Sequence, residues 1–342
     1  MLIAHHPMNP VIILAGLQHH NGLFSAAPVR STGYHRAWIR DTVYATYGME
    51  AAGRYYDVVR AMHALLNILH KHRYKIQWMI KQPAPKHSYR YIHARYDPLT
   101  GDEIHQEWGN KQHDAVGALL FRIGDLQEKG VRIVRNSQDL ALLYDLVDYL
   151  RVVEYWHDPD NGMWEEAEEV HASSVGACVA GLKKIRSIIH VADDVVRPGE
   201  LALQALLPSE SATREADLAL LSLIYPYNVV SENMKQTILR NVENQLVRER
   251  GVIRYSGDQY YWTNAEAEWT LGLAWLAIIY GNVPHKYRFF MEKLKNSMTE
   301  NGELPELYFG NSAVHNENTP LGWAQSLMIV ADSSQGSSPV SV

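Results

Sequence analysis

The sequence contains a single cysteine, Cys178, among its 342 residues. One cysteine excludes an intramolecular disulfide and leaves no set of thiolates for a metal ion, so it favours a reducing compartment, the cytoplasm. Lys and Arg are outnumbered by Asp and Glu, and the formal net charge of −6 disfavours binding to nucleic acid. We therefore expect a neutral ligand rather than a polyanionic one.

Long apolar runs are absent as well. The apolar stretch at residues 11–17 is shorter than a membrane span, is flanked by Pro10, His19 and His20, and follows no basic segment. We expect no signal peptide and no membrane-spanning segment. No stretch rich in Pro, Gly or Ser divides the chain before its end, so we predict a single domain at residues 1–335 and a disordered tail at residues 336–342.

Several motifs of well-known chemistry are missing. The chain has no glycine-rich phosphate loop, no His-Glu-x-x-His zinc motif and no Gly-x-Ser-x-Gly nucleophile turn. The 17 histidines include the adjacent pair His19 and His20, but no second cluster that would complete a metal site. We interpret them as surface or packing residues, and predict neither a metal nor a cofactor.

Helical periodicity is the strongest pattern in the chain. Some segments carry one apolar stripe, as in helices with one wet face, and others are apolar nearly all round and rich in small residues, as in helices buried on every side. The striped segments run from Leu140 to Val153, from Met234 to Leu246 and from Tyr287 to Met298. Ser231 is expected to cap the second, and Pro284 stands at the start of the third. The buried segments are residues 116–123, 172–182, 218–225, 269–280 and 321–331. Further helices are expected at residues 38–52, 55–81 and 198–207 and within 10–20, which brings the total to about twelve. This number predicts an all-α fold of six helical hairpins closed into a double ring.

The segments that precede the buried helices are expected to open on one mouth of this ring. They hold most of the unusual polar and aromatic residues, and loops on a rigid scaffold are where binding groups concentrate. These six segments are residues 33–41, 102–114, 161–174, 209–217, 254–268 and 304–320. The sequence therefore predicts a ligand site built from several loops that converge.

One of these loops contains Trp164, Glu165 and Glu166, a pair of carboxylates beside a large ring. An apolar indole raises the pKa of a carboxyl that it shields, and its flat face suits stacking against a pyranose. Glycoside hydrolysis needs a second carboxylate on the other side of the sugar, and Glu306 in a distant loop is a candidate. Neighbouring Glu165 and Glu166 cannot serve on both sides.

The motifs of the chain, taken in order, resemble those of the glucoamylases of glycoside hydrolase family 15. The similarity is greater to the glucoamylase-like domain of the phosphorylase kinase α and β subunits, and it covers roughly residues 20–330. The segments that carry it are Tyr34-His35-Arg36-Ala37-Trp38-Ile39-Arg40-Asp41, Glu107-Trp108-Gly109-Asn110-Lys111-Gln112-His113-Asp114, Trp164-Glu165-Glu166 with His171-Ala172-Ser173-Ser174, Leu304-Pro305-Glu306-Leu307-Tyr308, and Pro320-Leu321-Gly322-Trp323.

This resemblance implies an (α/α)6 barrel and an inverting, exo-acting hydrolase of α-glucans or α-glucosidic oligosaccharides. By position in the motifs, Glu165 is the expected general acid and Glu306 the expected general base. The expected substrate-binding residues are Trp38, Arg40, Asp41, Trp108, Trp164, Glu166 and Arg254. The loops at residues 81–95 and 314–319 are candidates for contacts beyond the first sugar, and neither the linkage that is cut nor an oligomeric state follows from the sequence.

Each assignment has an alternative. Trp38 and Trp108 are also interpretable as core aromatics, and Arg40 and Asp41 as an ion pair at a helix start. Glu166 is the alternative acid and Glu303 the alternative base, while Asp114 and Asp217 are expected as helix caps. The alternative function is a non-catalytic glucan-binding or regulatory barrel, like that of the phosphorylase kinase subunits, because a fold can outlast its chemistry.

Overall fold

The computed structural model describes residues 7–104, 106 and 108–334. The described part contains twelve α-helices, three 3₁₀ segments and four two-residue strands. The α-helices are α1 (Pro10–Gly16), α2 (Ile39–Ala51), α3 (Tyr55–Lys71), α4 (Arg73–Lys81), α5 (His113–Glu128), α6 (Ser137–Val153), α7 (Ala172–Lys184), α8 (Asp193–Leu206), α9 (Glu232–Gln245), α10 (Thr270–Ile279), α11 (Pro284–Asn296) and α12 (Gly322–Ser333). The 3₁₀ segments are Ser88–Arg90, Ile185–Ser187 and Leu218–Leu223, and the strands are β1 (Ala37–Trp38), β2 (Arg95–Tyr96), β3 (Glu268–Trp269) and β4 (Leu307–Tyr308).

Six helical segments form a closed inner ring. In order they are α2, α5, α7, the 3₁₀ segment Leu218–Leu223, α10 and α12, and each contacts the next, with α12 returning to α2. A second helix covers each of them on the outside: α3, α6, α8, α9, α11 and α1, in the same order. The inner segments are buried along nearly their whole length, whereas the outer helices keep one exposed face. This confirms the predicted all-α, single-domain barrel of six helical hairpins.

Two of the predicted helices differ from the observed ones in kind or in continuity. The expected helix at residues 218–225 is a 3₁₀ segment, and Pro226 lies just beyond it, where a regular helix cannot continue past a residue without an N–H group. The expected long helix at residues 55–81 divides at His72, whose backbone leaves the helical region (φ −101°, ψ 13°) and whose ring hydrogen-bonds the carbonyl of Gly101 at 2.8 Å. The observed total of twelve α-helices therefore arises from a different set of segments.

The two helix starts that the sequence marked with a cap or a proline are confirmed, whereas α8 begins at Asp193, ahead of the predicted start at residue 198. Ser231 precedes α9 and its hydroxyl accepts the N–H of Met234 at 3.3 Å, and Pro284 occupies the first turn of α11. In the described ranges no helix is both long and apolar enough to cross a bilayer. The expected tail at residues 336–342 lies outside the described residues.

Glycine allows α5 and α7 to touch backbone to backbone. A Cβ on Gly117 would lie 2.4 Å from the carbonyl carbon of Ala177, and a Cβ on Gly181 would lie 2.3 Å from the carbonyl oxygen of Gly117. Real side chains do not approach this closely, so hydrogen is required at both positions. The small residues that marked these helices in the sequence thus serve to bring two inner helices together.

The four short strands fasten loops at one mouth of the barrel. β1 pairs antiparallel with β2, and β3 pairs antiparallel with β4. Because β1 leads directly into α2 and β3 into α10, each pairing fixes the start of an inner helix against another loop. Trp38 of β1 and Trp269 of β3 are held in this way.

The contact between α5 and α7 generates a first prediction. Gly117→Ala should lower the free energy of unfolding by about 1–3 kcal/mol, because the methyl group forces the two helix backbones apart. Urea denaturation of the purified protein measures this change. Gly16→Ala in α1 is the matched control, since a Cβ there meets no atom within 4 Å, and an equal loss in both variants would contradict the explanation.

Candidate functional site

A cavity opens where the loops converge, and it is lined mainly by aromatic rings and charged groups. Flat rings and carboxylates together suit a sugar, which has apolar faces and hydroxyl edges. The lining residues are Ala26, Tyr34, Trp38, Arg40, Asp41, Met163, Trp164, Glu165, Arg254, Tyr260, Trp269, Glu306, Leu321 and Trp323. Of the nine residues singled out in the sequence, seven lie in this wall; Trp108 and Glu166 stand outside it.

Glu165 reaches the cavity from the loop before α7, with its side chain 20% exposed. Burial raises the pKa of this carboxyl to about 7; the positive charge of Arg40, at 3.3 Å, opposes the rise, and the negative charge of Asp41 adds to it. At neutral pH a large fraction of Glu165 therefore holds a proton. A carboxyl in this state can donate that proton to a substrate.

The loop that carries Glu165 is fastened at its base. The ring of His171 pairs with the buried Asp160 at 2.9 Å, and although burial lowers the pKa of His171, the hydrogen bond and charge of Asp160 raise it to about 9. Asn161 accepts the N–H of Lys111 at 3.0 Å and donates to the carbonyl of Glu166 at 2.7 Å. These contacts hold Glu165 in a left-handed backbone conformation, with φ at 64°, which is costly for a residue with a side chain.

Glu306 has different surroundings. It is completely buried, and it accepts hydrogen bonds from the hydroxyl of Tyr34 at 2.6 Å and from the amides of Asn316 and Asn318 at 2.5 and 2.7 Å. Burial raises the pKa of this carboxyl, and these three donors oppose the rise because they favour the charged form. Both amides bond Oε2, whereas Oε1 has Tyr34 and a long contact of 3.4 Å from Tyr260. Oε1 is therefore held less firmly than Oε2.

Arg40 does not pair with its neighbour in the sequence. Its guanidinium bonds the carboxylate of Asp114 at 2.9 Å, the amide oxygen of Gln112 at 2.8 Å and Glu165 at 3.3 Å. The alternative of an Arg40–Asp41 ion pair is thus wrong, and so is the expected cap role of Asp114, which lies inside α5 beside Arg40. Asp217 does cap: it accepts the N–H of Ala219 at 2.7 Å and the indole N–H of Trp164 at 2.8 Å.

Asp41 keeps its oxygens free. Its side chain accepts no hydrogen bond from another side chain among the described residues, and it lies in the cavity wall. Burial raises the pKa of Asp41 to about 6, and the positive charge of Arg40 opposes the rise. At neutral pH Asp41 is thus mostly ionised, with lone pairs available for a ligand that has hydroxyl groups.

Glu166 is held by three donors instead of facing the cavity. Arg214 and Arg254 bond its two oxygens, the latter at 2.7 Å, and the hydroxyl of Tyr255 donates at 2.7 Å. Arg254 also pairs with Asp258 at 2.6 Å and presents its remaining surface to the cavity. With its oxygens so occupied, Glu166 is a poor candidate for a proton donor.

Trp108 lies one ring away from the cavity. It stands edge-on to Trp38, with 6.1 Å between ring centres, and the guanidinium of Arg95 lies 4.1 Å from the centre of its ring. Glu107 of the same sequence motif is outside the described residues. Trp108 therefore flanks the mouth of the cavity instead of forming its wall.

Several residues of the site were missed in the sequence. Tyr34 and Trp323 stand in motifs that were recognised, but nothing in the sequence gave them a task. Asn316 and Asn318 fall in the loop assigned to contacts beyond the first sugar, and they instead hold Glu306. No signal in the sequence singles out these two asparagines, because their relation to Glu306 exists only in the folded loop. No group of three His, Cys, Asp or Glu side chains in the described part of the chain is arranged to hold a metal ion.

The family model of "Glycosyl hydrolases family 15" matches residues 12–337. Curated relatives include a probable phosphorylase b kinase regulatory subunit alpha from Caenorhabditis elegans, 23% identical over 86% of this chain and 30% of its own length. The corresponding protein of Drosophila melanogaster is 28% identical over 73% of this chain and 22% of its own. The liver isoform from Takifugu rubripes is 26% identical over 80% and 27%. The chain thus spans less than a third of the length of these relatives.

Solved structures with the same fold include glycosidases. A wild-type glycosidase superposes with a TM-score of 0.84 at 20% identity, covering 96% of this chain and 95% of its own. A variant glycosidase in complex with glucose gives 0.84 at 19% identity with the same coverage. A bacterial glucoamylase complexed with acarbose gives 0.73 at 14% identity, covering 95% of this chain and 54% of its own. These likenesses show the fold, the six-hairpin barrel of glucoamylases.

The pKa of Glu165 generates a second prediction. A carboxyl whose pKa rises from 4.5 to about 7 on folding binds its proton more tightly in the folded state, so stability falls as pH rises through that interval. Glu165→Gln removes this loss, and should therefore stabilise the protein by about 1–3 kcal/mol more at pH 8 than at pH 5. Urea denaturation at both pH values measures the difference.

The exposed Glu300 provides the control for this experiment. Its carboxyl is in contact with solvent, so Glu300→Gln shows how stability responds to pH when a charge is removed from the surface. A Glu165→Gln variant that behaved in the same way would contradict the raised pKa of Glu165.

Proposed function

Because the chain belongs to glycosyl hydrolases family 15, we propose that it is an inverting, exo-acting α-glucoside hydrolase that releases glucose from the non-reducing end of α-glucans or α-glucosidic oligosaccharides. One observation carries the proposal: Glu165 and Glu306 enter a single cavity from loops far apart in the sequence, in surroundings of opposite character. Inverting hydrolysis needs such a pair, one carboxyl to protonate the leaving oxygen and one to activate water.

In this proposal Glu165 is the general acid. With a pKa of about 7 it holds its proton near neutral pH, and a glycosidic oxygen that enters the cavity receives it. As the proton leaves, negative charge develops on the Glu165 carboxylate, 3.3 Å from Arg40. The guanidinium is anchored by Asp114 and Gln112 and does not need to move, so it stabilises that charge in the transition state.

Glu306 is the proposed general base. Tyr34, Asn316 and Asn318 hold its carboxylate in one orientation and favour its ionised form. In the proposed reaction its Oε1 accepts a hydrogen bond from a water molecule and then takes a proton from it, while the water oxygen attacks the anomeric carbon from the face opposite Glu165. In inverting enzymes the two carboxyls stand about 6.5–9.5 Å apart, so that this water fits between base and sugar.

Recognition of a chain end follows from the remaining wall of the cavity. Ionised Asp41 can accept hydrogen bonds from two adjacent hydroxyls of a terminal glucose, and the rings of Trp38, Trp164, Trp269 and Trp323 provide faces for its apolar carbons. Arg254 contributes donors beside them. Trp108 and Glu166 lie outside the cavity wall. Trp108 stands beside the mouth, where the leaving group is expected, and Glu166 orients Arg254.

The proposed setting is the cytoplasm. Cys178 is unpaired and buried, as befits a protein that works under reducing conditions. A neutral glucan fits a cavity whose arginines are already matched by carboxylates: Arg40 by Asp114, and Arg254 by Asp258.

A second candidate function is a non-catalytic barrel that binds glucan or takes part in a regulatory assembly. The observation that favours it is the identity of the curated relatives, which are regulatory subunits of phosphorylase b kinase. Such a role needs the cavity and its rings, but not the proton on Glu165. The two candidates therefore differ in turnover.

The first candidate generates a prediction for three variants. Glu165→Gln and Glu306→Gln should each lower kcat by about 10²–10⁴ with folding intact, because each removes one proton transfer. Glu166→Gln should act mainly on KM and cost less, because it only loosens Arg254. Steady-state kinetics on the best substrate, with circular dichroism as the folding check, distinguishes the three.

The alternative base is the control for these variants. Glu303 is absent from the cavity wall, and Glu303→Gln should keep nearly full activity. A loss in Glu303→Gln that matches the loss in Glu306→Gln would mean that the base has been misassigned, and equal losses at Glu165 and Glu166 would mean the same for the acid.

Turnover itself separates the two candidate functions. We expect release of glucose from at least one of maltose, isomaltose, trehalose and soluble starch, and proton NMR of the first product should show the β-anomer, inverted from the α-linkage. No release from any of the four, together with measurable binding of a glucan, would favour the regulatory barrel. Release of the α-anomer would exclude the inverting mechanism.

A further inference from the structure

Four aromatic side chains form an exposed patch beside the mouth of the cavity. Tyr74 and Trp78 lie one turn apart on α4 and are 63% and 39% exposed, and His87 and the 59% exposed Tyr89 follow in the next loop. Trp78 and Tyr89 are neighbours, with 6.0 Å between ring centres. We name these four residues the aromatic platform.

The rings of the platform are exposed but firmly held. The guanidinium of the buried Arg90 stacks on one face of Trp78 at 4.4 Å and is itself fixed by the carbonyl of Pro85 at 2.8 Å. The indole N–H of Trp78 donates to Gln82 at 3.2 Å. His87 and Tyr89 stack nearly parallel, at 13° and 5.2 Å. A buried arginine thus supports a ring whose other face is left to solvent.

The platform adjoins the leaving-group side of the cavity. The carbonyl of Ser88 accepts a hydrogen bond from the side chain of Asn110 at 3.4 Å, two residues after Trp108. His93 packs against Trp108 at 6.0 Å, and the four steps along the backbone from Tyr89 to His93 span at most about 14 Å. A chain that leaves the cavity past Trp108 therefore reaches the platform within a few sugar units.

We propose that the aromatic platform binds glucose units of an α-glucan chain beyond the cavity, so that the preferred substrate is a chain of several units and not a disaccharide. This inference rests on the proposed function, because it takes the bound chain end to be in the cavity. Rings of this kind stack on pyranose faces, and pre-ordered rings bind without losing much side-chain freedom.

The composition of the patch favours a sugar over a protein partner. Within residues 73–91 the large apolar side chains that are exposed are all aromatic: Tyr74, Trp78 and Tyr89. The groups between and beside the rings are polar, among them Gln82 and the side chain of Asn110. Flat rings with hydrogen-bonding groups at their edges match the alternation of apolar faces and hydroxyl edges along a glucan.

The test compares long and short ligands in a background without turnover. In the Glu306→Gln protein, the Kd values of maltohexaose, isomaltohexaose, maltose and isomaltose are measured by isothermal titration calorimetry. Adding Trp78→Ala or Tyr89→Ala should raise the Kd of the better-bound hexasaccharide by about tenfold, the effect of losing one ring contact, and leave the Kd of its disaccharide unchanged. Trp78→Phe should restore most of the affinity.

Tyr56→Ala is the matched control, since this tyrosine is 76% exposed on α3, outside the platform. The proposal is overturned if neither hexasaccharide binds more tightly than its disaccharide, if both platform variants keep hexasaccharide affinity, or if Tyr56→Ala loses as much as they do. If the platform variants keep their affinity for the hexasaccharide, the exposed rings would instead be interpreted as a surface for a protein partner. Binding is measured here without hydrolysis, so the two proposals can fail separately. If the protein cleaves no glucan but the platform variants still lose hexasaccharide affinity, the platform is supported and the proposed hydrolase function is not.

Discussion

The buried guanidinium of Arg40 is the interaction on which the site depends. A positive charge inside a protein is tolerated only where carboxylates and acceptors surround it. Arg40 obtains them from Gln112 just before α5, from Asp114 in its first turn, and from Glu165 in the loop before α7. Its requirement for partners therefore draws three parts of the inner ring together. The same charge limits how far the pKa of Glu165 can rise, so that packing and proton affinity are set by one side chain.

The two carboxyls differ because the chain surrounds them differently. Glu165 has a cation and a neighbouring anion and is partly open to the cavity, whereas Glu306 is enclosed by neutral donors. Tyr34, Asn316 and Asn318 are neutral donors that stabilise the negative charge of Glu306 without forming an ion pair. The carboxylate is therefore still able to accept a proton. The different environments of two identical side chains thus follow from their burial, nearby charges and hydrogen bonds.

The ring of hairpins was predictable because its inner helices lack a polar face, a pattern that only a helix buried all round can satisfy. That Trp164 and Glu165 lie together was predictable for a similar local reason, because they are neighbours in one loop. The partners of Arg40 were not, since Asp114 lies 74 residues away in the chain and nothing in its own neighbourhood marks it. The donors to Glu306 were missed because an asparagine in a loop has many uses, and only the folded loop shows which carboxylate it meets.

The left-handed backbone at Glu165 bears on how such a barrel can change over evolutionary time. At φ 64° glycine is more comfortable than glutamate, and a side chain without a carboxyl avoids the cost of burying charge there. Apart from the contact with Arg40, folding therefore gives little reason to keep a glutamate at this position, and in the proposed function it is catalysis that keeps it. Without selection for catalysis, the glutamate can be replaced while the barrel still folds. An enzyme of this fold can in this way become a protein that keeps the pocket but has no catalytic activity.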